Sequence, residues 1–405
     1  MEDCRSVLKL ARTDNGVLKL ARTDHGVLKH DHELPEDIVV EVLARLPVKS
    51  LMRFRCVCKP WRALICDPRF VRKHFSYAAA KGSGDSDLRL MFSVNPPGSI
   101  YCLEALNDLK APPLDITVRC PPFSGKRSRI VGSCNGLTCL YVKYQFILWN
   151  PCTGDYNVLP LPPIYRSSCV PSSHHCLCFQ GFGYDSTTDD YKVIRGIRRF
   201  VKSMIQVFSL KSGSWKTYNY MKNVCIRGDG CLLAGALHWL EFRSPYCSFG
   251  STIVSFDLAK EEFREDMSLM YPVIRVLTIR NCISVISLQS GSPLWVKIFM
   301  MKEYGVKESW TEVLTLPIDT PIRRSRLDEN LTLMKPLCIL ENGQVLVSNA
   351  LKQVHLRLYD PKEKAYRDVH VLETNEDFDI EYPNFEATIY RETLISPLTG
   401  CGAHV

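Results

Sequence analysis

From Leu34 to Phe75 the apolar positions keep a helical spacing, whereas beyond residue 88 they come in short alternating runs. In the first stretch Ile38, Val39, Val42, Leu43 and Leu46 lie three and four residues apart, which predicts one apolar stripe along a helix. Pro35 fits a first helical turn, and Glu36 and Asp37 put negative charge at the positive end of the helix dipole. Pro47 stops this helix. A second short helix is predicted around Leu51, Phe54 and Val57, and a third around Trp61, Leu64 and Ile65, cut off by Pro68. Pro60 suits the third helix only in its first turn. Three short helices in about forty residues cannot bury this much apolar surface among themselves. Part of the stripe is expected to meet another surface.

Small residues from Ala78 to Asp87 read as a linker. Past them, runs rich in β-branched and aromatic residues alternate with Gly, Pro, Asn and Asp turns. LWNPCTGDY at 148–156, VFSLKSGSW at 207–215, SFDLAKEEF at 255–263 and LYDPKEKAY at 358–366 are variations on one hairpin, and IFMMKEYGVKESW at 298–310 is a longer version. Their closing aromatics, Tyr156, Trp215, Phe263, Trp310 and Tyr366, recur at intervals of 59, 48, 47 and 56 residues. About fifty residues suits one four-stranded propeller blade. Five such units fill about 130–371. The remaining runs, Leu88–Val94 and Ser99–Leu106 at one end and Thr388–Ile395 at the other, can pair into a sixth and leave no long open sheet edge. The predicted class is α+β: a tail at 1–33, a three-helix module at 34–76, a linker at 77–87 and a propeller-like β domain of about six blades at 88–400. A β-sandwich is the second choice, and it does not explain the rhythm.

Composition narrows the function. Across 405 residues, 46% are hydrophobic and 23% charged, as in ordinary globular proteins. No apolar run is long enough to span a membrane, and no secretory signal is seen at the N-terminus. The 18 cysteines are scattered, many in strand-like runs such as Cys134, Cys139, Cys231, Cys282 and Cys338, so they read as buried reduced thiols. Of the net charge of +8, much sits in the helical module, where basic residues outnumber acidic ones and favour an acidic partner. VLKLARTD occurs at 7–14 and again at 17–24, which reads as a tandem duplication in a mobile tail.

Several constellations invite chemistry and fail to supply it. Gly132-Ser133-Cys134-Asn135-Gly136 has the form of a nucleophile elbow, but a strand follows it where that motif needs a helix. An Asn-Gly turn between strands is the better reading. His174, His175, Cys176 and Cys178 lack the spacing of a closed zinc site, so no metal and no cofactor is expected. Lys126-Arg127-Ser128-Arg129 and Arg323-Arg324-Ser325-Arg326 read as solvated basic loops, without the continuous basic face of a nucleic-acid binder. The run from Glu376 to Glu381 reads as a charged loop. No P-loop, dinucleotide fingerprint or kinase motif is present.

Two resemblances organise these observations. Leu34-Pro35, Ile38, Val42-Leu43, Leu46-Pro47, Ser50-Leu51, Arg53, Val57-Cys58-Lys59 and Trp61 resemble an F-box. GSCNGLTCL (132–140), ILWNPCTGDYNVLP (147–160), FGYDSTTDDYKVI (182–194), VFSLKSGSWK (207–216), GALHWL (235–240) and IVSFDLAKEEF (253–263) are similar to the F-box associated domain of plant F-box proteins. Together they imply a non-catalytic substrate receptor of a ubiquitin ligase in the cytoplasm or nucleus. A Skp-type adaptor would dock on Leu34, Pro35, Ile38, Val42, Leu43, Leu46, Pro47, Leu51, Phe54, Val57 and Trp61, with cullin and RING subunits bound indirectly. Loops of the β domain at 165–180, 195–203, 243–250 and 319–329 would hold an unidentified protein target. Their candidate contacts are Tyr165, Arg166, His174, His175, Arg198, Arg199, Arg243, Tyr246, Arg323 and Arg324. Two other functions stay open here: an F-box protein that binds or inhibits outside a ligase, and a hydrolase whose titratable groups converge in a propeller channel.

Overall fold

The computed structural model describes residues 8–12, 18–24, 27–28, 35–80, 88–94, 99–103, 116–118, 128–163, 178–199, 202–220, 225–226, 228–242, 250–264, 267–289, 294–318, 334–349, 355–369 and 385–399. They fall into two compact units. One holds the helices and the short segment Thr393–Ile395, the other the β domain.

The helical module has four helices, one more than the spacing predicts: α1 (Glu36–Leu43), α2 (Val48–Phe54), α3 (Lys59–Cys66) and α4 (Pro68–Ala80). Pro35 and Pro47 precede α1 and α2, and Pro60 sits in the first turn of α3, where its missing N–H costs nothing. Pro68 ends one helix and opens the next, because the Asp67 carboxylate accepts the backbone N–H groups of Arg69 (2.7 Å) and Phe70 (3.4 Å). Helix α4 continues through Tyr77 to Ala80, so the first residues assigned to the linker are helical. It is tied back to the module: His74 Nε2 donates to the Leu46 carbonyl (3.0 Å), and Glu41 accepts from Tyr77 (2.6 Å) and pairs with Lys73. Leu43, Val48, Leu51, Trp61, Ile65, Phe70 and Val71 form the interior.

Within the stretch read as a tail, the described residues 8–12, 18–24 and 27–28 are strands. Leu8–Arg12 and Leu18–Asp24 are antiparallel strands, with Val27–Leu28 added at the edge. The two copies of the repeat pair about Leu10↔Leu20, with Leu8↔Arg22 and Arg12↔Leu18 at the ends of the ladder. Two identical segments of alternating pattern with Asn-Gly between them in sequence have the composition of a hairpin.

The β domain is a six-bladed propeller. Five sheets come from consecutive stretches of chain, and the sixth joins Phe385–Arg391 to Leu88–Val94, Ser99–Leu103 and Ile116–Val118, from the two ends of the domain. Phe385–Arg391, Ser128–Cys134, Cys178–Asp185, Cys231–Leu233, Arg275–Ile279 and Met334–Ile339 each contact the next and the last contacts the first, so they line one closed ring around a channel. Apolar cores lie between successive blades. Leu90 and Phe92 of the closing blade, for example, pack with Leu346, Leu356 and Leu358.

The fifty-residue rhythm is the outer hairpin of each blade. The closing aromatics sit opposite Trp149, Phe208, Phe256, Met301 and Tyr359. Three of these pairs bring rings to within 4.9–5.3 Å: Phe208–Trp215, Phe256–Phe263 and Tyr359–Tyr366. The turn before each aromatic is fixed by a side chain that accepts backbone N–H groups: Asn150 from Cys152, Asp257 from Ala259 and Lys260, Asp360 from Lys362. The Asn135-Gly136 turn connects two strands, with φ of 50° and 81°, as expected.

Two polar networks cross between blades. Lys192, 4% exposed, lies 3.3 Å from Asp185 and 2.9 Å from Glu261 and donates to the Leu258 carbonyl. His238, fully buried, donates from Nδ1 to the Cys231 carbonyl (3.3 Å) and accepts at Nε2 from Tyr304 (2.7 Å), whose oxygen accepts from Arg264 (3.2 Å).

Candidate functional site

The apolar stripe of the helical module divides into an inner and an outer half. Leu43, Leu51 and Trp61, expected at the adaptor surface, are 3%, 0% and 7% exposed and make the module's own core. Trp61 meets Phe54 edge-on at 5.1 Å. Ile38, Val42 and Val57 remain 46%, 54% and 50% exposed. Pro35 and Pro47 are exposed as well, while Leu46 and Phe54 are half-buried; Leu34 lies outside the described residues. Ile38 and Val42 are one helical turn apart, so they present a common face of α1. The split follows from helix geometry: neighbours such as Val42 and Leu43 point about 100° apart, and four small helices enclose only one side of each.

In the propeller, charged residues gather where the innermost strands begin. Arg129, Lys335 and Glu386 are second in their strands and Arg275 is first. Asp229 reaches the same place by a detour: Gly228–Asp229 leaves the fourth blade and pairs in parallel with Phe179–Gln180 of the third. Gly228 takes φ of 85°, and Gly230 lies against the Trp239 indole, where a Cβ would come within 2.5 Å of Cε2. Arg129 Nη2 donates to both Asp229 oxygens (3.1 and 3.0 Å), and its Nε lies 3.7 Å from Glu386 Oε1. Glu386 Oε2 accepts the Ile130 N–H (2.6 Å), and Lys335 Nζ donates to the Ala387 carbonyl (3.1 Å).

Burial pushes the Glu386 carboxyl up to about 7, against the pull of Arg129. It also lowers Lys335, which Arg275 beside it lowers further, and it lowers Arg275 itself. This is the convergence that the hydrolase alternative asked for, but the groups are mutually engaged. Both Asp229 oxygens are on Arg129, and Cys231, which couples to Lys335, is a thiol raised by burial to about 11. Cys134, the elbow candidate, is raised to about 12 by burial, which leaves no thiolate to attack. Among the described residues no group of His, Cys, Asp and Glu could hold a metal ion.

Arg129 is a correction to the sequence reading, which placed it in a solvated basic loop. It stands in an innermost strand and bridges carboxylates 100 and 257 positions away. The missed signal is phase: a charged residue opens the first strand of blade after blade. Tyr165, Arg166, His174, His175, Arg243, Tyr246, Arg323 and Arg324 lie outside the described residues, as does the Arg323–Arg326 cluster. Arg198 and Arg199 close a strand, opposite Ser203 and Lys202, their side chains outside the description. Strand order adds a common thread. The described strands flanking all these segments end or begin on the rim where the innermost strands start, while the opposite rim carries short turns such as Asn135-Gly136 and Ala234-Gly235.

The comparisons with known proteins agree with this architecture. Residues 108–382 match the family described as the F-box associated beta propeller domain, and residues 32–73 match the F-box domain. The chain belongs to the F-box associated beta propeller family. It is similar to two Arabidopsis thaliana proteins, the F-box/kelch-repeat protein At3g23880 and the F-box protein CPR1. It is 29% identical to the first over 310 residues, which cover 71% of this chain and 80% of that protein. It is 29% identical to the second over 371 residues, 82% and 84% of the respective chains. No described helix is long and apolar enough to cross a membrane.

Proposed function

We propose that this protein is the substrate-recognition subunit of a Skp–cullin–F-box ubiquitin ligase. Its helical module would dock a Skp-type adaptor through Pro35, Ile38, Val42, Pro47 and Val57. The propeller would hold a protein target, and cullin and RING subunits would join through the adaptor, in the cytoplasm or nucleus. The target is then modified by proximity to a ubiquitin-loaded conjugating enzyme, which carries the reactive thiol. One observation carries this reading: a folded module with its own core leaves Ile38, Val42 and Val57 about half exposed on its outside. Apolar residues in such a group on a small module mark an interaction surface. The basic excess around it matches an acidic partner.

Affinity purification tests the reading. The chain should capture adaptor and cullin, and Ile38→Asp with Val42→Asp should abolish both while the propeller stays folded by circular dichroism. Undiminished cullin capture by the double variant would reject this docking surface.

A further inference from the structure

We propose that the channel end where the innermost strands begin binds an oxyanion carried by a protein target, as a glutamate, aspartate or phosphorylated side chain, through Arg129, Arg275 and Lys335. The inference rests on the receptor reading above and adds the chemistry of what is received.

Three cations and two carboxylates, Asp229 and Glu386, converge there among the described residues. The described groups therefore carry an excess of one positive charge, although each is already engaged with its neighbours. Arg129 keeps 42% of its side-chain surface accessible, so a solute can reach its guanidinium. Burial and the neighbouring Arg275 lower Lys335, and burial and Arg129 lower Arg275; Asp229 and Glu386 act against both shifts, and an added anion would act in the same direction as those carboxylates. A purely structural cross-link would be expected to balance its charges, as Lys192 does between Asp185 and Glu261 with Lys216 at the edge of the same group. Location adds to the case. The described strands on either side of each loop singled out for target binding begin or end on this same rim. Guanidinium groups hold carboxylate and phosphate oxygens through paired N–H bonds, and a nearby ammonium adds a point charge.

Fluorescence anisotropy on the full chain tests this. The probes are a fluorescein-labelled Gly-Ser peptide with glutamate at alternate positions, its phosphoserine counterpart and its all-serine control. The expected result is binding of one or both acidic probes, weakened about tenfold by Lys335→Met and strengthened by Glu386→Gln, with the serine peptide inert. The opposite directions of the two variants separate lost charge from lost fold. Equal binding of the serine peptide, or indifference to both substitutions, overturns the proposal. Displacement of the probe by free phosphate or free glutamate at the peptide's own concentration also overturns it, since the ligand would then be a small ion. The Ile38→Asp, Val42→Asp variant separates the two readings. It should bind the acidic probe normally, and failure of the probe alongside intact adaptor capture by the parent chain would remove this inference and leave the ligase reading standing.

Discussion

Replacing Ile38, Val42 and Val57 together by alanine should weaken adaptor binding markedly while leaving the module folded. Fully burying a side chain of this size is worth roughly 1.5–3 kcal/mol. Each of the three is already about half buried within the module. The unused half offers roughly 1 kcal/mol apiece, or about 2–4 kcal/mol for the set, before association costs. That corresponds to a loss of roughly 30-fold or more in Kd. Leu51→Ala is the counterpart: the side chain is 0% exposed, and its truncation should cost about 2–5 kcal/mol of module stability. Titration calorimetry against a purified Skp-type adaptor, beside urea denaturation of the same proteins, measures both quantities. If the outward triple variant unfolds early while Leu51→Ala folds normally, the division of the stripe is wrong. If the triple variant binds within twofold of the parent, the exposed half is not the docking face.

Other expectations follow from the propeller. Lys192→Met removes the buried cation that Asp185 and Glu261 share and should cost about 3–5 kcal/mol in chemical denaturation at neutral pH. Burial acts to raise both carboxyls, but hydrogen bonds from Thr188 and Thr187 to Asp185, from Tyr218 to Glu261, and Lys192 on each outweigh it and hold them low. Their ionised forms stabilise the parent above the ordinary carboxylate range, and that stability is lost as pH falls through the lowered values, so the variant should be less sensitive to acid. His238 is lowered to about 4 by burial, with Arg264 beside it, from an ordinary 6.5. Below pH 6.5 the unfolded chain takes up the proton and the folded one does not, so about 3 kcal/mol should be lost between pH 6.5 and 4. His238→Gln should flatten that slope in thermal melts, and an unchanged slope would assign it elsewhere. Gly230→Ala drives a methyl into Trp239 and should lower stability by about 1–3 kcal/mol, with acidic-probe binding altered as Asp229 shifts.

The blades were legible because their signal is local. A cross-strand aromatic and an Asx-type turn lie within ten residues of each other, as at Asp257 and Phe263, and recur with every hairpin. The pairing of the two chain ends was legible from exclusion, since leftover strands need partners. Side-chain direction was not. A stripe spaced three and four apart names both Val42 and Leu43, and only the packing of four helices decides that one is outside and the other inside. The charged channel was illegible for a different reason. Arg129 takes its partners from the fourth blade and the closing strand, and the detour that carries Asp229 across depends on the bare backbone of Gly228 and Gly230. Nothing in KRSR marks its last arginine as the member of an innermost strand. The fourth helix was missed because Pro68 reads as a stop, whereas after Asp67 it is also a start.

Synthesis of this protein has a late commitment point. Leu88–Val94 emerges from the ribosome almost three hundred residues before Phe385–Arg391, the strand that covers its inner edge. Until then five blades can assemble while the first waits with an unsatisfied row of amides, a template for misassociation. A chain that stopped short of Phe385–Arg391 would leave the closing blade without its innermost strand.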